Sequence, residues 1–164
     1  MIVLGIDPGL AHTGFGVVRR DGARLCALDG GVIATPAQPP VERRLARIQA
    51  EIEAILDCHE PGAVALEDLY FGANVRSAFA VGQARGVVMA AAGARGIACH
   101  SYTPQQVKNA VCGSGRAGKD QVGRMVAVLL SLAEPAGSDH AADALAVAIC
   151  HVNRAPLAAA LARS

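Results

Sequence analysis

The chain has 164 residues, of which 52% are hydrophobic, so it has the length of one ordinary domain and can bury a substantial core. Its formal net charge of +1 excludes a strongly basic or acidic protein, and any nucleic-acid surface must therefore come from local clustering of charge. The five cysteines include no C-x-x-C pair, which argues against a zinc site or a disulfide framework. Because the chain opens on a predicted strand, we expect no signal peptide, and no apolar stretch is long enough to predict a transmembrane helix. We therefore expect a cytoplasmic protein with no membrane partner.

The first predicted element is a strand over residues 2–7. Its apolar and β-branched residues are typical of a strand buried on both faces, in the middle of a sheet. The strand ends in Asp7, and the turn residues Pro8 and Gly9 follow. A carboxylate at the end of a central strand is costly unless it is paired or binds a cation. Asp7 is therefore a candidate site residue, although this strand alone leaves open that it only caps the turn.

A second apolar strand also ends in an acid. The elements predicted up to that point are strands over 15–18 and 25–33, a helix over 41–59 and a fourth strand over 63–66. Short turns join the first three strands, which predicts an antiparallel meander. The fourth strand is closed by Glu67. If it is central and parallel to the first strand, Glu67 and Asp7 meet at the edge where open α/β sheets bind ligands.

The rest of the chain is mostly helical by prediction. Its elements are a helix over 74–94, a strand over 97–102, and helices over 104–112, 119–132 and 139–153. The helix over 74–94 is apolar on nearly all sides, and such a helix is buried on all sides. In so small a domain this pattern favours burial of one side by a second subunit, with a central helix inside the monomer as the alternative. The order of the elements predicts an α/β fold.

Polar residues open the last predicted helix. His140 and Asp143 are three positions apart and lie on one side of it, as do Asp139 and Asp143. Taken alone, these residues fit an ordinary helix start in which Asp139 complements the helix dipole. Together with Asp7 and Glu67, however, His140 and Asp143 complete a set of three carboxylates and one imidazole, which suits Mg²⁺ or Mn²⁺. Two such ions about 3.5–4 Å apart can activate a water and stabilise the leaving oxygen in a phosphoryl displacement.

Beyond these residues, the chain resembles the RuvC family of Holliday-junction resolvases, the crossover junction endodeoxyribonucleases, over nearly its whole length. The first matching motif is also found in actin-like ATPases, but the ordered set is specific to the family. The matching residues are Gly5-Ile6-Asp7-Pro8-Gly9, Glu67 after the fourth strand, Gly82-Gln83-Ala84-Arg85-Gly86, Gln106-Val107-Lys108, Lys119-Asp120-Gln121-Val122 and Ala141-Ala142-Asp143-Ala144-Leu145-Ala146.

The resemblance implies an α/β fold of the ribonuclease H-like type, with a five-stranded mixed sheet flanked by helices. It implies one nuclease domain over residues 1–154, followed by an Ala-rich C-terminal tail over 155–164. The implied reaction is symmetric, metal-dependent cleavage of four-way DNA junctions during homologous recombination and DNA repair, leaving 5′-phosphate ends. The implied partners are a second copy of the chain and the RuvA–RuvB branch-migration complex. A twofold dimer can present one active site to each of two strands of like polarity.

The family's catalytic acids match Asp7, Glu67 and Asp143. Its remaining acidic position is occupied here by His140, which either ligates metal or positions the attacking water. The resemblance thus implies that all four residues hold Mg²⁺ or Mn²⁺, with two ions per subunit. Asp139 lies one position off the motif, and we expect it to support the site at most.

Further residues match the family's DNA contacts. Lys108 and Lys119, the only two lysines of the sequence, match lysines that contact phosphates of the scissile strand, and Lys119 is included among the catalytic residues. Arg116 and Arg124 extend this basic segment. Tyr70 matches an aromatic residue that stacks on an unpaired base, and the adjacent Phe71 either shares this role or packs into the core.

Three other functions are weighed against junction cleavage. A ribonuclease H-like nuclease that processes ribosomal RNA would share Asp7-Pro8-Gly9 but should lack the basic loop and the aromatic pair. A sugar-kinase or actin-like ATPase needs a second nucleotide-gripping lobe, for which 164 residues leave no space. A non-catalytic junction binder is disfavoured because all four ligand positions hold residues that can bind metal.

Overall fold

The computed structural model describes residues 1–68 and 75–161, with side chains up to residue 155. All the predicted strands and helices are present in these ranges, and their ends differ from the predictions by a few residues in most cases. The elements are β1 Ile2–Asp7, β2 His12–Asp21, β3 Arg24–Ala34, α1 Val41–His59, β4 Ala63–Glu67, α2 Val75–Gly93, β5 Ala98–Tyr102, α3 Pro104–Cys112, α4 Lys119–Leu129 and α5 Asp139–Leu161.

The strands of the described residues form one mixed sheet in the order β3-β2-β1-β4-β5. The first three strands are antiparallel neighbours, whereas β4 is parallel to β1 and to β5. This arrangement confirms the predicted α/β class, the meander and the central position of β1. The parallel register pairs Ile6 with Leu66, so Asp7 and Glu67 end neighbouring strands at the same edge of the sheet.

Helices cover both faces of the sheet. On one face, α1 and α2 pack with Leu4 and Ile6 of β1. On the other face, α5 packs with Val3, and α3 and α4 lie beside it. A Cβ atom on Gly5 would lie 2.0 Å from the backbone oxygen of Ala144. Helix α5 can therefore approach β1 only because Gly5 has no side chain, and this close approach brings the start of α5 to the end of β1.

Helix α2 is buried on one side only. Its residues Ala84 and Val88 are fully buried against the sheet and α1, but Val75, Phe79 and Met89 are 79%, 69% and 43% exposed. The alternative of a central helix inside the monomer is therefore wrong, whereas burial of the exposed side by a second subunit stays a prediction. Apolar residues surround the helix, so the sequence pattern could not show which side faces the sheet.

Two helix ends differ from the predictions. Helix α5 continues to Leu161 instead of ending near Asn153. Helix α4 ends at Leu129 instead of Leu132, because Ser131 adopts a left-handed φ of 53°. The division between a domain over 1–154 and a tail stays a prediction. No helix among the described residues is both long and apolar enough to cross a membrane.

Candidate active site

The carboxylate of Asp7 contacts the imidazole of His140. The ring nitrogen Nδ1 lies 2.7 Å from Asp7 Oδ2 and is placed to donate a hydrogen bond to it. The side chain of Asp7 is 18% exposed, and that of His140 is 46% exposed. The first turn of α5 can come this close because Gly14 has no side chain. A Cβ at this position would lie 2.1 Å from the backbone oxygen of His140. The structure thus brings together a residue of β1 and a residue of α5 that are far apart in sequence.

The turn after β1 is held by hydrogen bonds that do not involve the side chain of Asp7. Thr13 Oγ1 donates to the carbonyl of Gly9 at 2.6 Å, and the Thr35 N–H donates to the carbonyl of Ala11 at 2.9 Å. Arg44 from α1 in turn donates to Thr35 Oγ1 at 3.0 Å. Because these bonds hold the turn and the hydrogen bond of the Asp7 side chain goes to His140, the turn does not depend on a cap from Asp7.

Glu67 and Asp143 are electrostatically coupled to Asp7. Burial raises the pKa of Glu67 to about 7, and repulsion from Asp7 and Asp143 adds to this rise. Burial also raises the pKa of Asp143, which the neighbouring charge of Lys119 partly opposes. The charge of Asp7 acts on both Glu67 and Asp143, so the three carboxylates share one site, and a bound cation would offset their repulsion.

The donor set fits a hard divalent cation, since it consists of carboxylate oxygens and one imidazole. The side chains at present pair with one another, His140 with Asp7 and Lys119 with Asp143. Within residues 1–68 and 75–161, no three His, Cys, Asp or Glu side chains already form a ligand cluster. A metal would therefore have to replace these pairings.

Both lysines of the sequence line the pocket of the acids. Glu67, Lys108, Lys119 and Asp143 surround one pocket between β4, α3, α4 and α5. Lys119 Nζ lies 3.5 Å from Asp143 Oδ2 and 3.2 Å from Asp139 Oδ2. A hydrogen bond with Asp139 is the main reason that the pKa of Lys119 is raised. Asp139 thus supports the site through Lys119.

The start of α3 places Lys108. Thr103 Oγ1 accepts from the Gln106 N–H, the Gln106 side chain accepts from the Thr103 N–H, and Pro104 occupies the first helical position. This capping box confirms the predicted start of the helix. It fixes the first turn, and Lys108 projects from the next turn into the pocket.

The remaining predicted DNA contacts are less closely tied to the acids. Arg124 is exposed and lines a neighbouring pocket together with Lys119 and Asp143. Arg116 is exposed in the loop before α4, where its backbone N–H donates to Ser114 Oγ at 3.3 Å. Tyr70 and Phe71 lie outside the described residues.

Two residues near the acids had no role predicted from the sequence. The ring of His12 stacks on that of His140, with centroids 5.6 Å apart and planes at 11°. Arg85 Nη1 donates to the backbone carbonyl of Glu67 at 2.7 Å. A histidine in a glycine-rich turn just after a candidate acid, and a single arginine in the middle of an apolar helix, are the signals that could have identified them.

Comparison with known proteins identifies the family. The family model of crossover junction endodeoxyribonuclease RuvC matches residues 3–151. The chain belongs to the RuvC family. The RuvC of Heliobacterium modesticaldum is 51% identical over 150 residues, which cover 92% of this chain and 93% of that protein. The structure of Thermus thermophilus RuvC is 40% identical, covers 96% of this chain and 97% of its own, and superposes with a TM-score of 0.89.

A second RuvC structure was solved with its substrate. This T. thermophilus RuvC, in complex with a Holliday junction, is 39% identical, and the match covers 96% of each chain with a TM-score of 0.89. These matches confirm the resemblance and the ribonuclease H-like fold. RuvC proteins are metal-dependent nucleases, which agrees with the donor set formed by β1, β4 and α5.

Proposed function

We propose that this protein cleaves four-way DNA junctions by metal-dependent hydrolysis of phosphodiester bonds, in homologous recombination and DNA repair. The observation that carries the proposal is the coupling of three carboxylates, Asp7, Glu67 and Asp143, beside the only two lysines of the sequence. Acids that bind a cation next to cations that bind phosphate are what cleavage of a nucleic-acid backbone requires. The solved complex of a related RuvC with a Holliday junction supports the choice of substrate.

The three acids and His140 would hold Mg²⁺ or Mn²⁺, with two ions per subunit. When bound, the ions would activate a water and stabilise the leaving oxygen. His140 is half-exposed and already in contact with Asp7, so it is placed either to join the ligands or to orient the water. His12 would limit the rotation of His140 through the stacked rings.

The lysines would hold the scissile phosphate against the acids. Lys119 is the catalytic candidate among them because its ammonium group already contacts Asp143. Lys108 faces the same pocket from α3, and Arg124 and Arg116 would contact phosphates farther along the strand. Contacts of this kind orient the DNA without reading its sequence. Stacking of a base on Tyr70, with Phe71 beside it, remains part of the proposal on the strength of the family resemblance.

The protein would act as a homodimer in the cytoplasm. The exposed apolar residues Val75, Phe79 and Met89 of α2 offer a surface for a second copy. A twofold dimer would cut two strands at symmetric positions and leave 5′-phosphate ends. The RuvA–RuvB complex is the proposed partner in branch migration, because of the family to which the chain belongs.

A panel of substrates tests this function. The purified protein is incubated with a labelled four-way junction, a linear duplex of matched sequence and an RNA duplex, each with and without Mn²⁺. We expect symmetric nicks in the junction alone, only with metal, and expect a DNA ligase to reseal them. Cleavage of RNA with an intact junction would instead favour an RNA-processing nuclease. Tight binding to the junction without cleavage would favour a non-catalytic binder.

A further inference from the structure

Arg85 is the one charged residue in the middle of helix α2, and its side chain is only 13% exposed. Its guanidinium donates from Nη1 to the Glu67 carbonyl at 2.7 Å and from Nη2 to Ser101 Oγ, and it lies 3.6 Å from Asp68 Oδ1. A buried guanidinium is costly unless its donors are satisfied, so this set of partners fixes the side chain. Arg85 thus joins α2 to the ends of β4 and β5.

These partners surround the peptide group that follows Glu67. Arg85 binds the carbonyl of this group, and the N–H of the same group, that of Asp68, donates to the Tyr102 carbonyl at 2.8 Å. The peptide plane is therefore held from α2 on one side and from β5 on the other. Because the direction of a side chain is set by the peptide planes on either side of its Cα, this arrangement limits the directions open to the Glu67 carboxylate.

We propose that Arg85 is a positioning residue that acts through Glu67, holding the end of β4 so that the carboxylate stays directed at Asp7 and Asp143. This inference rests on the proposed metal site. Arg85 approaches from the face of α1 and α2, whereas the acids meet under α5 on the other face, so it would contact neither DNA nor metal.

A supporting clamp is needed because Glu67 is the last residue of β4 and lines the pocket that it shares with Lys119 and Asp143. A flexible strand end would let the carboxylate turn towards solvent, and the metal site would lose a ligand. Arginine suits the task because its planar fork can bind the carbonyl and the hydroxyl in fixed directions, which the single ammonium group of a lysine cannot do.

Arg95, in the turn that directly follows α2, provides a matched control. It donates to Asp57 Oδ1 at 2.7 Å and to Asp57 Oδ2 at 2.9 Å, which ties the end of α2 to α1. This arginine also joins two elements through several hydrogen bonds and is 27% exposed. It binds no residue of the proposed site. Loss of Arg95 therefore reports the structural cost of removing a clamp from α2 without a change at Glu67.

The test is the Mn²⁺ dissociation constant of the DNA-free protein, measured by isothermal titration calorimetry at one fixed temperature. We expect Arg85→Met to raise it about 10-fold or more, the size of effect typical for residues that support metal ligands. Arg95→Met should stay within twofold of wild type. Arg85→Lys and Ser101→Ala should give smaller rises than Arg85→Met. If Arg85→Met does not fold by circular dichroism, these two variants carry the test.

Glu67→Gln separates the inference from the function on which it rests. Weaker Mn²⁺ binding in Glu67→Gln, but wild-type binding in Arg85→Met, would overturn the role of Arg85 and leave the metal site intact. Equal losses in Arg85→Met and Arg95→Met would also overturn it, since a general weakening of the fold would then explain both. Wild-type binding in Glu67→Gln would contradict the proposed metal site itself.

Discussion

Helices α5 and α2 lie on opposite faces of the sheet and differ in how far their apolar residues are buried within the chain. On α5, Val147 and Ile149 are 1% and 0% exposed, and the approach to β1 is so close that Gly5 has no room for a side chain. On α2, Phe79 is 69% exposed, and Gly86 has no neighbour within 4 Å of an added Cβ. The face covered by α5, called the closed face, carries the acids. The face covered by α1 and α2, called the open face because the outer side of α2 stays exposed, carries the surface available to a second copy.

The largest effect is expected where α5 meets β1. Gly5→Ala would put a Cβ 2.0 Å from the Ala144 oxygen, so β1 and α5 would have to separate. We expect a loss of about 3 kcal/mol in the free energy of unfolding, measured by urea denaturation. Gly30→Ala is the matched control in β3, because its nearest contacts would be an ordinary 3.6–3.9 Å. Equal losses in both variants would mean that α5 is not held as closely as described.

The open side of α2 predicts the next effect. Phe79→Glu should weaken the proposed dimer about 100-fold, or about 2.7 kcal/mol, because a charge would replace an aromatic side chain on the proposed interface. Val128→Glu on α4 is the matched control, since Val128 is also 69% exposed. Analytical ultracentrifugation should show dissociation of the first variant only. A wild-type protein that is monomeric at micromolar concentration would contradict the dimer.

The closed face also predicts a dependence of stability on pH. In the folded protein the pKa of Glu67 is about 7, above its ordinary value of 4.5. The metal-free protein should therefore lose stability as the pH rises from about 4.5 through 7, by about 1–3 kcal/mol between these limits. Denaturation at pH 5.5 and pH 8 measures the loss. Glu67→Gln should reduce it strongly, and a wild-type pH dependence in that variant would assign the loss to another group.

The smallest effect is expected from the same substitution, glycine to alanine, at Gly86 on the open face. Gly86 is an exposed helical residue with open space around it, so Gly86→Ala should stabilise the chain by about 0.5–1 kcal/mol through its higher helix propensity. Thermal denaturation of dilute protein measures the gain. The same substitution would thus have opposite signs on the two faces. A loss of stability in dilute protein would show that α2 is packed more tightly than the structure indicates.

Much of the closed face could be predicted from the sequence. The apolar run that ends in Asp7 indicated the central strand, and a second run that ends in Glu67 indicated its parallel neighbour. Both predictions rest on a local pattern, a short apolar run that ends in an acid, which can be recognised without knowledge of the tertiary packing. The spacing of polar residues at the start of the last helix then indicated Asp143, and the family resemblance added Lys119. The structure brings both into the pocket of Glu67.

The open face and the side-chain pairings could not be predicted in the same way. Helix α2 has apolar residues on nearly all sides. The spacing of these residues therefore does not show which of them face the sheet. The contact of His12 with His140 depends on the packing of α5 against β2, and the contact of Lys119 with Asp139 depends on the packing of α4 against α5. The partners of Arg85 likewise depend on the register of β4 with β5.

The central claim is that Asp7 holds metal for junction cleavage, and one paired measurement tests it most directly. Cleavage and binding of a labelled four-way junction are measured together in Mn²⁺ for wild type, Asp7→Asn and the control Asp57→Asn, whose exposed carboxylate pairs with Arg95. We predict that Asp7→Asn loses at least about 100-fold in cleavage rate while its affinity for the junction is retained. Asp57→Asn should cleave like wild type. Cleavage by Asp7→Asn at the wild-type rate would contradict the assignment of the metal site.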